Sequence, residues 1–67
     1  MRYNHTGETD VAYYNDLESG ECVAEVVYPM IYHSIGEDVI IGDIVYKICH
    51  IISDIKHICI TYQLKEV

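Results

Sequence analysis

Residues 38–64 read "DVIIGDIVYKICHIISDIKHICITYQL", in which nine isoleucines are interleaved with polar residues and interrupted by short turn signals. β-Branched and aromatic side chains suit a pleated surface, whose residues face opposite sides in turn. Such a run reads as paired strands, and the turns set its register. Gly42-Asp43 fits a two-residue hairpin loop. That loop places Ile41 opposite Ile44, Ile40 opposite Val45, Val39 opposite Tyr46 and Asp38 opposite Lys47. The last is a favourable cross-strand ion pair.

The next hairpin turns near Ser53-Asp54, and polarity selects its loop length. A five-residue loop, 52–56, pairs Ile44 with Leu64, Tyr46 with Tyr62, Ile48 with Ile60 and His50 with Ile58 on one face. The other face then pairs Val45 with Gln63, Lys47 with Thr61, Cys49 with Cys59 and Ile51 with His57. A loop of two or four residues would mix Gln63 and Thr61 with Ile44 and Ile48, which is the worse sorting. Both hairpins independently turn Ile44, Tyr46 and Ile48 inward and Val45 and Lys47 outward.

Upstream, Asp-Leu-Glu-Ser-Gly at 16–20 is turn chemistry, with Gly20 suited to a left-handed position. In the strand that follows, Cys22, Ala24, Val26 and Tyr28 share one face, expected to be the inner one. Glu21, Val23, Glu25 and Val27 share the wetter face. Pro29 ends the strand because it cannot donate to a ladder, and "MIYHSIGE" connects onward with Gly36 as its hinge. The expectation is five antiparallel strands near 10–16, 21–28, 38–41, 44–51 and 57–65, without substantial helix. An all-β meander this short must curl to bury its inner face, as a small SH3-like barrel or a rolled sheet. Residues 1–9 are expected to be a flexible tail and 10–67 a single domain.

Size and charge restrict the functional classes. A chain of 67 residues buries only ~60% of its unfolded surface and is often reinforced by a disulfide, a metal or a partner subunit. The formal net charge is −7, and it is uneven: residues 1–43 hold nine acids against Arg2. That surface repels a phosphate backbone, so direct nucleic-acid binding is disfavoured. Three cysteines leave no complete disulfide set. No signal-peptide pattern or apolar membrane span is evident, so the expectation is a reduced, cytoplasmic protein.

No catalytic residue is assigned. Cys49 and His50 face opposite sides of a strand, and His57 and Cys59 lie about 6.6 Å apart along theirs. Neither pair is poised for nucleophilic catalysis. Cys49, Cys59 and His57 would share the outer face, yet a fourth ligand is missing, so no metal is assigned. A disulfide between Cys49 and Cys59 would be strained and out of place in a reducing compartment. Cys22 is expected to be buried and inert; His50 to reach water at the rim; His5 and His33 to be solvated.

Two surfaces carry the functional expectation. Asp16, Glu18, Glu21, Glu37, Asp38 and Asp43 fall in or beside turns and project into solvent. They either serve solubility or, imitating DNA phosphates or docking on a basic groove, steer a partner's approach. Ile40, Val45 and Ile51, with Cys49, Cys59, Val23 and Val27, form an apolar outer face that a second copy of the chain or a partner would cover. Tyr13, Tyr28, Tyr32 and Tyr3 add amphipathic anchors to it.

The stretch "D-x-E-x-G-E-C-V-A-E-V-V-Y-P … I-G-E-D-V-I-I-G-D-I-V-Y-K-I", over residues 15–48, resembles short proteins encoded by bacteriophages and prophages. Those share a Gly-acid-x-Val … Gly-x-x-x-Tyr-x-Val cadence across a small β-fold. The resemblance implies a viral accessory protein that binds a host factor or sequesters a defence signal. The leading expectation is therefore a non-enzymatic, homo-oligomeric inhibitor of a host protein, acting without a cofactor. One alternative is a nucleotide sponge, with interface tyrosines stacking on the base and Lys47, Lys56 or Arg2 meeting the phosphate. The other is a structural phage component.

Overall fold

A computed structural model describes residues 10–67. The expected tail, and with it Arg2, Tyr3, His5 and Glu8, lies outside the described residues. The described residues form five strands: β1 (Val11–Asp16), β2 (Cys22–Val27), β3 (Asp38–Ile41), β4 (Ile44–Asp54) and β5 (Cys59–Glu66). They make one sheet in the order β2-β1-β5-β4-β3, curled into a nearly closed barrel, and no helix occurs among the described residues. No helix among the described residues is long and apolar enough to cross a membrane.

The sheet is not the all-antiparallel meander expected. β1 runs parallel to β5, from Val11 beside Cys59 to Asp16 beside Leu64, so the first hairpin docks on the last strand and the sheet is mixed. This pairing joins segments far apart in sequence, and no turn marks it.

The β3–β4 hairpin has the expected register, Asp38 opposite Lys47 through Ile41 opposite Ile44. Its turn has positive φ at both central residues, 60° at Gly42 and 70° at Asp43. That makes it a type I′ turn, whose twist matches the flanking strands.

The β4–β5 ladder corrects the expected register. Its loop is the four residues 55–58, with Asp54 opposite Cys59. A bulge between Ile48 and His50 then slips the pairing by one, placing Ile48 opposite Leu64. Ile51 falls opposite Tyr62, so the extra residue switches the inward parity of β4 from even to odd numbers. The polarity conflict that had argued against a four-residue loop is thereby removed. Ile51 accordingly packs on the core rather than joining an outer interface. His50 is exposed opposite Gln63, and Cys49 sits in the bulge, not opposite Cys59. Ile44, expected inside, is exposed, because β5 ends at Glu66 opposite Tyr46 and leaves nothing to cover the hairpin tip.

A second bulge, between Tyr14 and Asn15, sets Asn15 opposite Cys22 and Tyr14 opposite Ala24. Val23 is the extra residue and packs on the core, while Cys22 is exposed, the reverse of their expected faces. The core is Ala12, Tyr14, Tyr46, Ile48, Tyr62 and Leu64, packed by Val39, Ile41, Ile51 and Ile60.

Candidate functional site

The segment from Tyr28 to Glu37 crosses from the β2 edge to the β3 edge. It begins at Tyr28, whose left-handed backbone (φ 55°) turns the chain out of β2 while its N–H donates to the Asp10 carbonyl. Pro29 is buried behind it. At the far end the segment is tied to β4: Gly36 N–H donates to the Ile48 carbonyl and Ile48 N–H to the Glu37 carbonyl.

His33 fastens its middle to the core. The imidazole Nδ1 lies 2.8 Å from Glu37 Oε2 and Nε2 lies 3.1 Å from the Tyr14 hydroxyl. The His33 backbone N–H donates to the Tyr62 hydroxyl at 3.1 Å, and Ser34 N–H donates to Glu37 Oε1 at 2.9 Å. Tyr14 and Tyr62 stack with ring centroids 5.0 Å apart, and His33 meets both rings edge-on. The expected solvated histidine is thus a clasp, its side chain only 15% exposed. In the neutral imidazole, Nδ1–H donates to the carboxylate and Nε2 accepts from the Tyr14 O–H. Missing from the sequence reading were Tyr14 and the role of His33. The signal available was physical: an inward tyrosine needs a partner for its hydroxyl.

The electrostatics suit holding rather than reacting. Burial first, then the charges of Tyr62 and Glu37, raises the Tyr14 phenol pKa above its usual value. That favours the neutral hydroxyl and works against a nucleophilic phenolate. The hydrogen bond from His33 first, then the Ser34 N–H, lowers the Glu37 carboxyl pKa, keeping it ionised.

Two clefts flank the clasp. One, about 360 Å³, lies between the sheet edges and is lined by Ala24 and Val26 of β2, by Asp38, Val39, Ile40 and Ile41 of β3, and by Tyr14 and His33. The other, about 240 Å³, lies under the crossing segment beside Pro29, Met30 and Ile31.

The expected surfaces are partly assembled. Glu37 and Asp38 stand beside the larger cleft, with Glu25 outward on β2. Asp38 is held by Lys47 Nζ at 2.9 Å, and the same ammonium reaches the Gly36 carbonyl. Asp43 sits on the β3–β4 turn. Asp16, Glu18 and Glu21 belong to the β1–β2 turn, where Asp16 accepts the Ser19 N–H and has its pKa lowered by it. Ile40 is 72% exposed, and Val45, Tyr28 and Tyr32 are exposed, whereas Tyr13 is half-buried. His57 binds Asp54 at 2.9 Å in the β4–β5 turn, away from Cys49. No cluster of three metal-ligating side chains occurs among the described residues.

The apolar exposure concentrates on the crossing segment and its flanks. Val26, Val27, Tyr28, Met30, Ile31, Tyr32, Ile35 and Ile40 are all exposed, Met30 to 91%. Comparison of the chain with protein-family models, curated proteins and solved structures returns no match.

Proposed function

We propose that the chain is a non-catalytic binding protein that docks a basic protein partner on the flank formed by β2, the crossing segment and β3. The observation that carries this reading is the run of eight exposed large apolar side chains between Val26 and Ile40, interspersed with Glu25, Glu37 and Asp38. A monomer rarely leaves so long an apolar run uncovered unless it is an interaction site. Residues 10–43 hold eight carboxylates and no lysine or arginine, so the surrounding potential selects a cationic surface. In the setting that the phage resemblance implies, the partner is a host protein whose basic face is blocked.

The clasp supports the same reading, because it holds the apolar segment in place before a partner arrives. Pre-ordering reduces the entropy lost on association. The test is retention from a bacterial lysate on immobilised protein, at low and high salt, beside a Met30→Asp/Ile31→Asp variant. A retained protein that high salt releases and the variant fails to hold supports the reading. Equal retention by the variant, or none by either, refutes it.

A further inference from the structure

We infer that the partner of this flank contributes an extended segment, aliphatic and basic residues alternating, which adds as a strand to the free edge of β3. The inference rests on the binding-protein reading and specifies how the partner is held.

The ladder identifies which backbone groups are free. Ile48 N–H bonds the Glu37 carbonyl, and the two-residue turn makes Ile41 and Ile44 a hydrogen-bonded pair. Antiparallel strands alternate such pairs with non-bonded ones. Residues 39 and 41 and the Glu37 carbonyl therefore face β4, the Glu37 N–H turning back to Ser34 instead, and Asp38 and Ile40 direct their backbone groups outward. The sheet order ends at β3, so no strand among the described residues meets them. On the opposite edge the bond from Tyr28 N–H to Asp10 directs Val26 and Ala24 toward β1. Glu25 and Val27 then face the seam. β2 and β3 run antiparallel to each other yet are not paired. Unmatched edges of this kind are templates for strand addition.

The side chains set the sequence such a segment would need. Those it points inward would enter the cleft of about 360 Å³, against Ala24, Val26, Val39 and Ile41 above the Tyr14 ring. That space wants aliphatic residues. Those it points outward would lie beside Glu25, Asp38 and the exposed face of Ile40, where the adjacent lysine of β4, Lys47, is already bound to Asp38 and Gly36. That space wants lysine or arginine. β3 has only four residues, which limits open-ended stacking of copies, a usual protection of edges. The same charge disfavours a second copy of this acidic chain in the seam.

The test uses the peptide Lys-Val-Lys-Val-Lys-Val, its Glu-Val counterpart, and two forms of the Lys-Val peptide N-methylated on alternate residues in opposite phases. Fluorescence anisotropy is expected to show the Lys-Val peptide binding at least tenfold more tightly than the Glu-Val one. One N-methyl phase should abolish binding, because only alternate amides face β3. Ile40→Pro removes a seam-facing N–H and no bond to β4, so it should weaken binding tenfold or more. If that variant fails to unfold cooperatively, the two N-methyl phases on the wild type decide. Equal binding by both phases and the parent overturns the inference, as does equal binding of the acidic peptide. A wild-type dimer that Ile40→Pro dissociates and that no peptide displaces would place a second copy in the seam and overturn it too. Salt-sensitive, Met30/Ile31-dependent retention from lysate without peptide binding would sink strand addition alone and leave the binding-protein reading standing.

Discussion

The β4–β5 ladder and the β2–β3 seam are made of similar residues, yet they meet opposite environments. In the ladder, Ile48, Tyr62 and Leu64 are at most 1% exposed. Across the seam, Val26 and Ile40 face water although both belong to strands of the same sheet. β4 and β5 each have a strand on both sides, and β2 and β3 do not; Ile40 also lies on the outward face of its strand, whose Val39 and Ile41 pack on the core. Burial here follows face and position in the sheet together, not the hydrophobicity of the strand, since Ile52 of central β4 is also exposed. Strand content therefore holds the molecule together at its centre and leaves its edges available.

Truncation should separate the two regions most sharply. Ile48→Ala removes a fully enclosed side chain and should cost about 2–5 kcal/mol, enough to unfold a marginal domain. Ile40→Ala, at 72% exposure, should change stability by less than about 0.5 kcal/mol. Urea unfolding of both variants checks this; similar costs would mean the seam is closed in solution. Between these limits lies the clasp. His33→Ala leaves the Tyr14 hydroxyl and the Glu37 carboxylate without their shared partner and should cost about 1–2 kcal/mol. Amide exchange should accelerate in residues 28–37 before it does in β4 and β5.

How far the sequence could be read depended on how local each feature is. The β3–β4 register was legible because Gly42-Asp43 is a self-contained turn that fixes every pair. The β4–β5 register was not, because Cys49 is an ordinary strand residue and nothing in it marks a bulge. A one-residue slip inverts every face beyond it, which is why His50 and Ile51 exchanged places. The parallel contact of β1 with β5 and the clasp from His33 to Tyr14 join residues whose proximity only the complete fold creates. The acids of the turns were legible as solvated groups, since turn residues project outward wherever the strands lie. That Glu37 and Asp38 stand beside an apolar cleft depends on the barrel failing to close.

Acid should loosen the clasp before the core. Glu37 has its pKa lowered in the folded state, chiefly by the hydrogen bond from His33. A carboxyl lowered on folding stabilises the native state above its unfolded pKa, and that contribution is lost as pH falls through the folded value. The loss should thus begin near pH ~4.3, the usual glutamate value, and continue below it. Asp16, lowered by the Ser19 N–H, and Asp54, lowered by His57, add to the same acid-side decline. Glu37→Gln should flatten the midpoint-against-pH curve in this range, and an unchanged curve would remove Glu37 from the clasp.

The smallest effect belongs to the ion pair at the seam. Lys47 Nζ and Asp38 Oδ1 are 2.9 Å apart, with side chains 50% and 57% exposed. Solvent screening holds such a pair to roughly 0.2–1 kcal/mol. Lys47→Met retains the stem across the strand and should shift the unfolding midpoint little. It also releases the Asp38 carboxylate beside the free edge, so it should strengthen attachment of a basic peptide there while leaving stability nearly constant. A stability loss comparable to that of Ile48→Ala would mean that Lys47 braces the β3 edge, and the division between a load-carrying centre and an available margin would fail at that strand.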